Sequence, residues 1–72
     1  MLEKRSLTLA GHATSVALEP EFWAVLEAAA REDRVSFAGL IARIDAERSA
    51  RDPAQPLSSA CRVWALKRVQ GG

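Results

Sequence analysis

Apolar and polar residues alternate along the first eighteen positions of the chain. In "KRSLTL", Leu7 and Leu9 alternate with Ser6 and Thr8, which predicts a short strand over 4–9. Thr14-Ser15-Val16-Ala17-Leu18 predicts a second strand, with Thr14, Val16 and Leu18 on one face and Ser15 and Ala17 on the other. Ala10-Gly11-His12-Ala13 interrupts the two, and Gly11 is free to take positive φ.

From Pro20 the period changes to that of a helix. Proline suits a first helical position, and Glu19 and Glu21 suit the positive end of the helix dipole. Phe22, Leu26, Ala29 and Ala30 form the predicted core stripe, bordered by Trp23, with Val25 further round. The helix runs out in the polar "REDR", 31–34. Ser36 then caps a second helix, whose stripe is Phe37, Leu40, Ile41 and Ile44, continued by Arg48. "SARDPAQP", 49–56, lacks periodicity and reads as a linker. A third helix follows, capped at Ser58 or Ser59, with Ala60, Val63, Trp64 and Lys67 on one face and Gly71-Gly72 after it.

Size limits what this arrangement can do alone. A chain of 72 residues is one small domain, and core burial at this length gives roughly 3–5 kcal/mol. Lone Cys61 forms no internal disulfide, and one cysteine with one histidine cannot close a zinc site. No cofactor is expected. A second copy of the chain is the reinforcement that remains. The economical partner for strand 14–18 is therefore its own copy, antiparallel about a two-fold axis. Residues 5–9 either fold back on 14–18 as a hairpin or extend that ribbon.

No apolar run approaches a membrane span. Thr8, Gly11 and His12 interrupt "LTLAGHA", so a cleaved leader is not expected there, and a free cysteine suits the cytoplasm. Net charge is only +1, but its distribution is uneven. Residues 19–52 carry eight acids and five bases, whereas 53–72 carry Arg62, Lys67 and Arg68 with no acid. Basic ends flank an acidic middle, a pattern compatible with a localised basic face.

"TSVALEPEFWAVLEAAAREDRVSFAGLIARI" resembles the ribbon-helix-helix fold of the Arc and methionine repressors. "KRSLTLAGHATSVALEPEFW", "LIARIDAER" and "LSSACRVWAL" are similar to short bacterial ribbon-helix-helix domain proteins, and the likeness runs from about Lys4 to Val69. It implies a mainly α fold with a short β-ribbon and an additional C-terminal helix. Residues 1–13 would be an arm or short strand, 14–52 the core, and 53–72 the linker and last helix. It further implies a homodimer that binds double-stranded DNA, as a transcriptional regulator or an antitoxin. Stacking of dimers along DNA stays open.

Carried onto this chain, the resemblance makes Ala13, Ser15 and Ala17 the ribbon's outward positions. Val35, Ser36 and Phe37, at the start of the second helix, would hold a phosphate through backbone N–H groups. Two alanines and a serine lack the forked donors and acceptors that read bases bidentately, so weak specificity is expected from them. Lys4, Arg5 and His12 would supplement them as phosphate-neutralising arms. The rival reading is a protein-interaction module that uses the third helix and its basic end.

Other chemistry is scarce. Ser15 and His12 have no acid beside them and no evident oxyanion donor, so catalysis is not expected. Otherwise His12 is a polar turn residue. Cys61 reads as a small buried side chain, and Trp23 and Trp64 as core or interface anchors. Arg62, Lys67 and Arg68 suit either a solvated helix end or DNA backbone contact. Asp45 is expected in an ion pair with Arg48 or Arg62.

Overall fold

Ala10 and Gly11 decide the architecture. Both take positive φ, 51° and 81°, the hand a two-residue hairpin loop needs to match the twist of its strands. In the computed structural model, which describes residues 1–71, they join β1 (Glu3–Leu9) to β2 (His12–Leu18). The strands are antiparallel, with Leu9 opposite His12 and Glu3 opposite Leu18. Of the two arrangements considered for residues 5–9, the hairpin with 14–18 is the one formed, which leaves the other edge of β2 open, and His12, expected in the turn, opens β2. The reason is local: closing a two-residue loop costs little entropy.

Three helices pack on one face of this hairpin: α1 (Pro20–Asp33), α2 (Phe37–Arg51) and α3 (Leu57–Gly71). Leu9, Val16 and Leu18 from the hairpin meet Trp23, Leu26, Ala29 and Ala30 of α1, Leu40, Ile41 and Ile44 of α2, and Ala60, Cys61 and Ala65 of α3 in one core. No buried side-chain polar atom among the described residues lacks a partner. A single chain therefore closes its own core.

Trp23, rather than Phe22, is the fully buried aromatic of α1. Its indole N–H donates to the Glu3 carbonyl at 2.8 Å, which draws the ring under β1. Phe22 is left half-buried under the guanidinium of Arg62.

The α1–α2 turn is short because Arg34 adopts the left-handed conformation, φ 56° and ψ 42°. The Arg34 N–H bonds the Arg31 carbonyl at 3.2 Å, and the Val35 N–H bonds the Ala30 carbonyl at 3.0 Å. These bonds satisfy the last carbonyls of α1 in a Schellman arrangement, with an arginine where glycine is usual.

Helix α2 continues through Ser49–Arg51, beyond the expected start of the linker. Its end is set by Pro53, which forces the preceding Asp52 out of the helical region, to φ −152°. Arg48 secures the connection. It bonds Asp45 at 2.8 and 3.1 Å and the carbonyls of Pro53 and Gln55 at 3.0 and 2.9 Å. Of the two partners considered for Asp45, Arg48 is the one that binds it.

Helix α3 begins at Leu57, before the expected serine caps, because the Pro56 carbonyl already accepts the Ala60 N–H at 3.1 Å. Its buried face is also rotated from the expected one. Small residues, Ala60, Cys61 and Ala65, face the core and permit close approach, while Val63 and Lys67 face out.

Candidate nucleic-acid interface

Strand alternation gives the hairpin two unlike faces. Glu3, Arg5, Leu7 and Leu9 of β1 share the helix-facing side with His12, Thr14, Val16 and Leu18 of β2. The opposite side presents Lys4, Ser6 and Thr8 from β1 and Ala13, Ser15 and Ala17 from β2. Of these six, all are exposed except Ala17, which is half-buried. None is acidic, although the chain carries nine acids.

The register sets how these side chains meet. A two-residue loop makes its flanking residues, Leu9 and His12, a hydrogen-bonded pair. Counting back, Thr8/Ala13, Ser6/Ser15 and Lys4/Ala17 are the non-hydrogen-bonded pairs, whose Cα atoms approach to about 4.5 Å and whose side chains lie closest. The backbone groups of Ala13, Ser15 and Ala17 then point to the open edge of β2.

Ser36 caps α2: its Oγ accepts from the Gly39 N–H at 2.9 Å, and its carbonyl accepts from Leu40 at 2.9 Å. A Cβ on residue 39 would stand 2.8 Å from that Oγ, so glycine is what lets the hydroxyl close on the helix. Phe37 and Ala38 stand at the first two helical positions, where N–H groups have no intrahelical acceptor. Val35 precedes the cap and is packed against the core cluster that contains Leu40, the pair of positions a hydrophobic staple uses.

The start of α2 is tied to the hairpin through Arg5. Its guanidinium carbon lies 4.7 Å from the Trp23 ring centre and 5.7 Å from that of Phe37. Arg5 also bonds Glu3 at 2.8 Å and Glu27 at 3.1 Å, which raises its pKa further. Arg5 therefore points to the helix side, away from Lys4, and His12 lies on that side too, near Asp45 and Arg48. Ser15 and His12 alternate to opposite faces of β2.

The acidic middle and basic ends of the sequence meet in space. Glu19 at the start of α1 pairs with Arg62 at 3.0 Å, Glu27 with Arg5, and Glu32 and Asp33 at its end with Arg68 at 3.1 and 2.8 Å. The Arg62 hydrogen bond holds the Glu19 carboxyl below its ordinary range, and Arg68 does the same for Asp33. Two of the three C-terminal cations are thereby occupied. Lys4 and Arg34, both exposed, form no ion pair among the described residues.

Sequence reading missed Ser6 and Thr8 on the outward face, because only the hairpin register brings them beside Ser15 and Ala13. It also missed Arg34, whose one signal is its place two residues before the Ser36 cap.

A two-stranded ribbon followed by packed helices, with a capped second-helix start at its side, is the arrangement of a ribbon-helix-helix domain. The chain belongs to the ribbon-helix-helix domain family, which it matches over residues 2–69. Domains of this family are in general DNA-binding regulators that act as dimers. No curated protein and no solved structure matches the chain. None of its described helices is long and apolar enough to cross a membrane.

Proposed function

We propose that this protein is a homodimeric, double-stranded-DNA-binding transcriptional regulator of the cytoplasm. The outward hairpin face enters the major groove, and the N–H groups of Phe37 and Ala38, with the dipole of α2, take a backbone phosphate. Lys4 and Arg34 supply the free cations beside these two elements. The observation that carries this reading is the composition of the outward face: small, polar or basic, with every acid elsewhere. An acid there would repel the phosphates lining the groove.

A second copy would seat on α3. Val63, Leu66 and Val69 are 40%, 50% and 62% exposed and lie on its outer side. They are the large exposed apolar residues of the described chain outside residues 1–2. Burying such a stripe against its own copy removes apolar surface from water, which favours association. Leu66→Glu should convert the dimer to a monomer in sedimentation without unfolding it, because Leu66 lies outside the core. An unchanged mass would place the dimer interface elsewhere.

Fluorescence anisotropy with a random duplex and the protein's own promoter, at low and physiological salt, tests DNA binding. Each phosphate neutralised steepens the log–log salt dependence by about 0.9. No binding at low salt would contradict the reading. It would favour the alternative supported by the same α3 stripe, a dimer or antitoxin-like module that binds a protein partner.

A further inference from the structure

A cleft between α2 and α3 contains no hairpin residue and takes no part in the DNA-binding reading. Ile44 and Ala60, both buried, and the half-buried Trp64 give it an apolar interior, with the exposed Val63 at its edge. Arg51, Lys67 and Glu47 line it with charge, and Gln55 adds an amide. We infer that this cleft binds a small aromatic carboxylate, its ring against Trp64 and Ile44 and its carboxylate between Arg51 and Lys67.

Size and charge set the class of ligand. The cavity measures about 130 Å³. An apolar protein cavity of about 150 Å³ holds one benzene, whereas drug-sized ligands need about 300 Å³ or more, so a single ring is what this cleft admits. Arg51 and Lys67 form no ion pair among the described residues, whereas Arg62 and Arg68, the other cations of α3, are held by acids at the two ends of α1. Glu47 is the one acid lining the cleft, which leaves it a net charge of +1. One carboxylate matches that charge; a dianionic phosphate exceeds it.

The walls are held before any ligand arrives. Arg48 bonds the carbonyls of Pro53 and Gln55 at 3.0 and 2.9 Å, which fixes the link from α2 to α3, and the Gln55 amide donates to the Ser59 hydroxyl at 3.4 Å. The Arg68 guanidinium lies 5.6 Å from the Trp64 ring centre and is itself bonded to Glu32 and Asp33. Trp64, on which the ligand ring would stack, is thus braced from α1. A preformed wall spares the ligand much of the cost of ordering its site. The cleft flanks the exposed stripe of α3 and shares only Val63 with it.

The test titrates benzoate into the isotopically labelled full chain and follows its amide shifts, with benzamide and acetate as controls. Benzoate should give saturable shifts at Glu47, Arg51, Gln55 and Val63–Lys67, with a dissociation constant on the order of 1 mM. Benzamide, the ring without the charge, and acetate, the charge without the ring, should each bind more weakly. Arg51→Gln should weaken benzoate by about 2- to 5-fold, the worth of an exposed ion pair, and leave benzamide unchanged, a difference that a merely structural role would not give. Glu47→Gln should tighten benzoate by removing the opposing charge. Benzamide matching benzoate, Arg51→Gln weakening both alike, or benzoate shifts centred outside the cleft overturns the inference, as does the absence of saturable shifts. None of these outcomes bears on DNA binding, which the proposed reading assigns to other residues.

Discussion

The guanidinium of Arg5 lies over the indole of Trp23, 4.7 Å from the ring centre, while its nitrogens hold Glu3 and Glu27. One strand residue thereby joins the hairpin to α1 and, through the Phe37 ring, to the first turn of α2. Arg5 and Lys4 are adjacent in sequence and opposite in role.

Arg5→Ala should lower stability by about 1–2 kcal/mol, from the lost cation–π contact, its packing and two partly exposed ion pairs. It should weaken DNA binding without changing the salt slope, because Arg5 acts by positioning. Lys4→Ala should leave the thermal midpoint unchanged and flatten the slope by about one unit. Paired melting curves and salt titrations check both. A flattened slope for Arg5→Ala would mean that Arg5 reaches phosphate.

Arg34 carries a left-handed backbone that a side chain disfavours by about 1–2 kcal/mol. Glycine relieves this but has a larger unfolded-state entropy, worth about 0.5–1 kcal/mol. Arg34→Gly should therefore stabilise the protein by about 0.5–1 kcal/mol in denaturant melts. The same substitution removes a free cation beside the α2 start and should weaken DNA binding. Stability and affinity moving together would contradict a DNA role for Arg34.

Acid should loosen α1 from its neighbours. The Glu19 and Asp33 carboxyls titrate below their ordinary range in the folded protein, because Arg62 and Arg68 bond their charged forms. The native state thus binds these protons less firmly than the unfolded chain does. Their stabilisation is complete above the ordinary carboxylate range, near pH ~4, and is lost as pH falls through the lowered native values. Asp33→Asn should melt lower than wild type at neutral pH, with the gap closing in acid. A constant gap would show that the Arg68 pair contributes nothing through charge.

Burial pushes the Cys61 thiol up to about 11, with Asp45 adding to the shift and Arg62 opposing it. At neutral pH it is a thiol packed in the core, not a thiolate. A disulfide-exchange reagent should label native protein slowly and unfolded protein at once. Rapid labelling of the folded chain would contradict this packing. Cys61→Ser should cost about 1–3 kcal/mol by placing a hydroxyl in the apolar core.

Periodicity made the helices legible, together with the Ser36 cap and most of the α1 and α2 core. It did not decide what β2 pairs with, because the loop uses Ala10-Gly11 in place of the Asn-Gly that usually marks such a turn. Phe22 lies on the predicted stripe and Trp23 only borders it, yet the Glu3 carbonyl, distant in sequence, draws Trp23 inward. On α3 the buried positions are the small ones, so a reading weighted by side-chain size selects the wrong face. The outward face was half legible. Ala13, Ser15 and Ala17 follow from alternation in β2, whereas Ser6 and Thr8 join them only through the register. The ion pairs of α1 lie up to 43 residues apart in sequence and leave only the segregation of charge as a trace.

Amide chemical shifts of isotopically labelled protein, followed as a duplex is added, test the central claim most directly. The account predicts the largest changes at Lys4–Thr8, Ala13–Ala17 and Arg34–Gly39, with the outer side of α3 unmoved by DNA itself. Changes centred on Leu66 and Val69, or none at low salt, would contradict it.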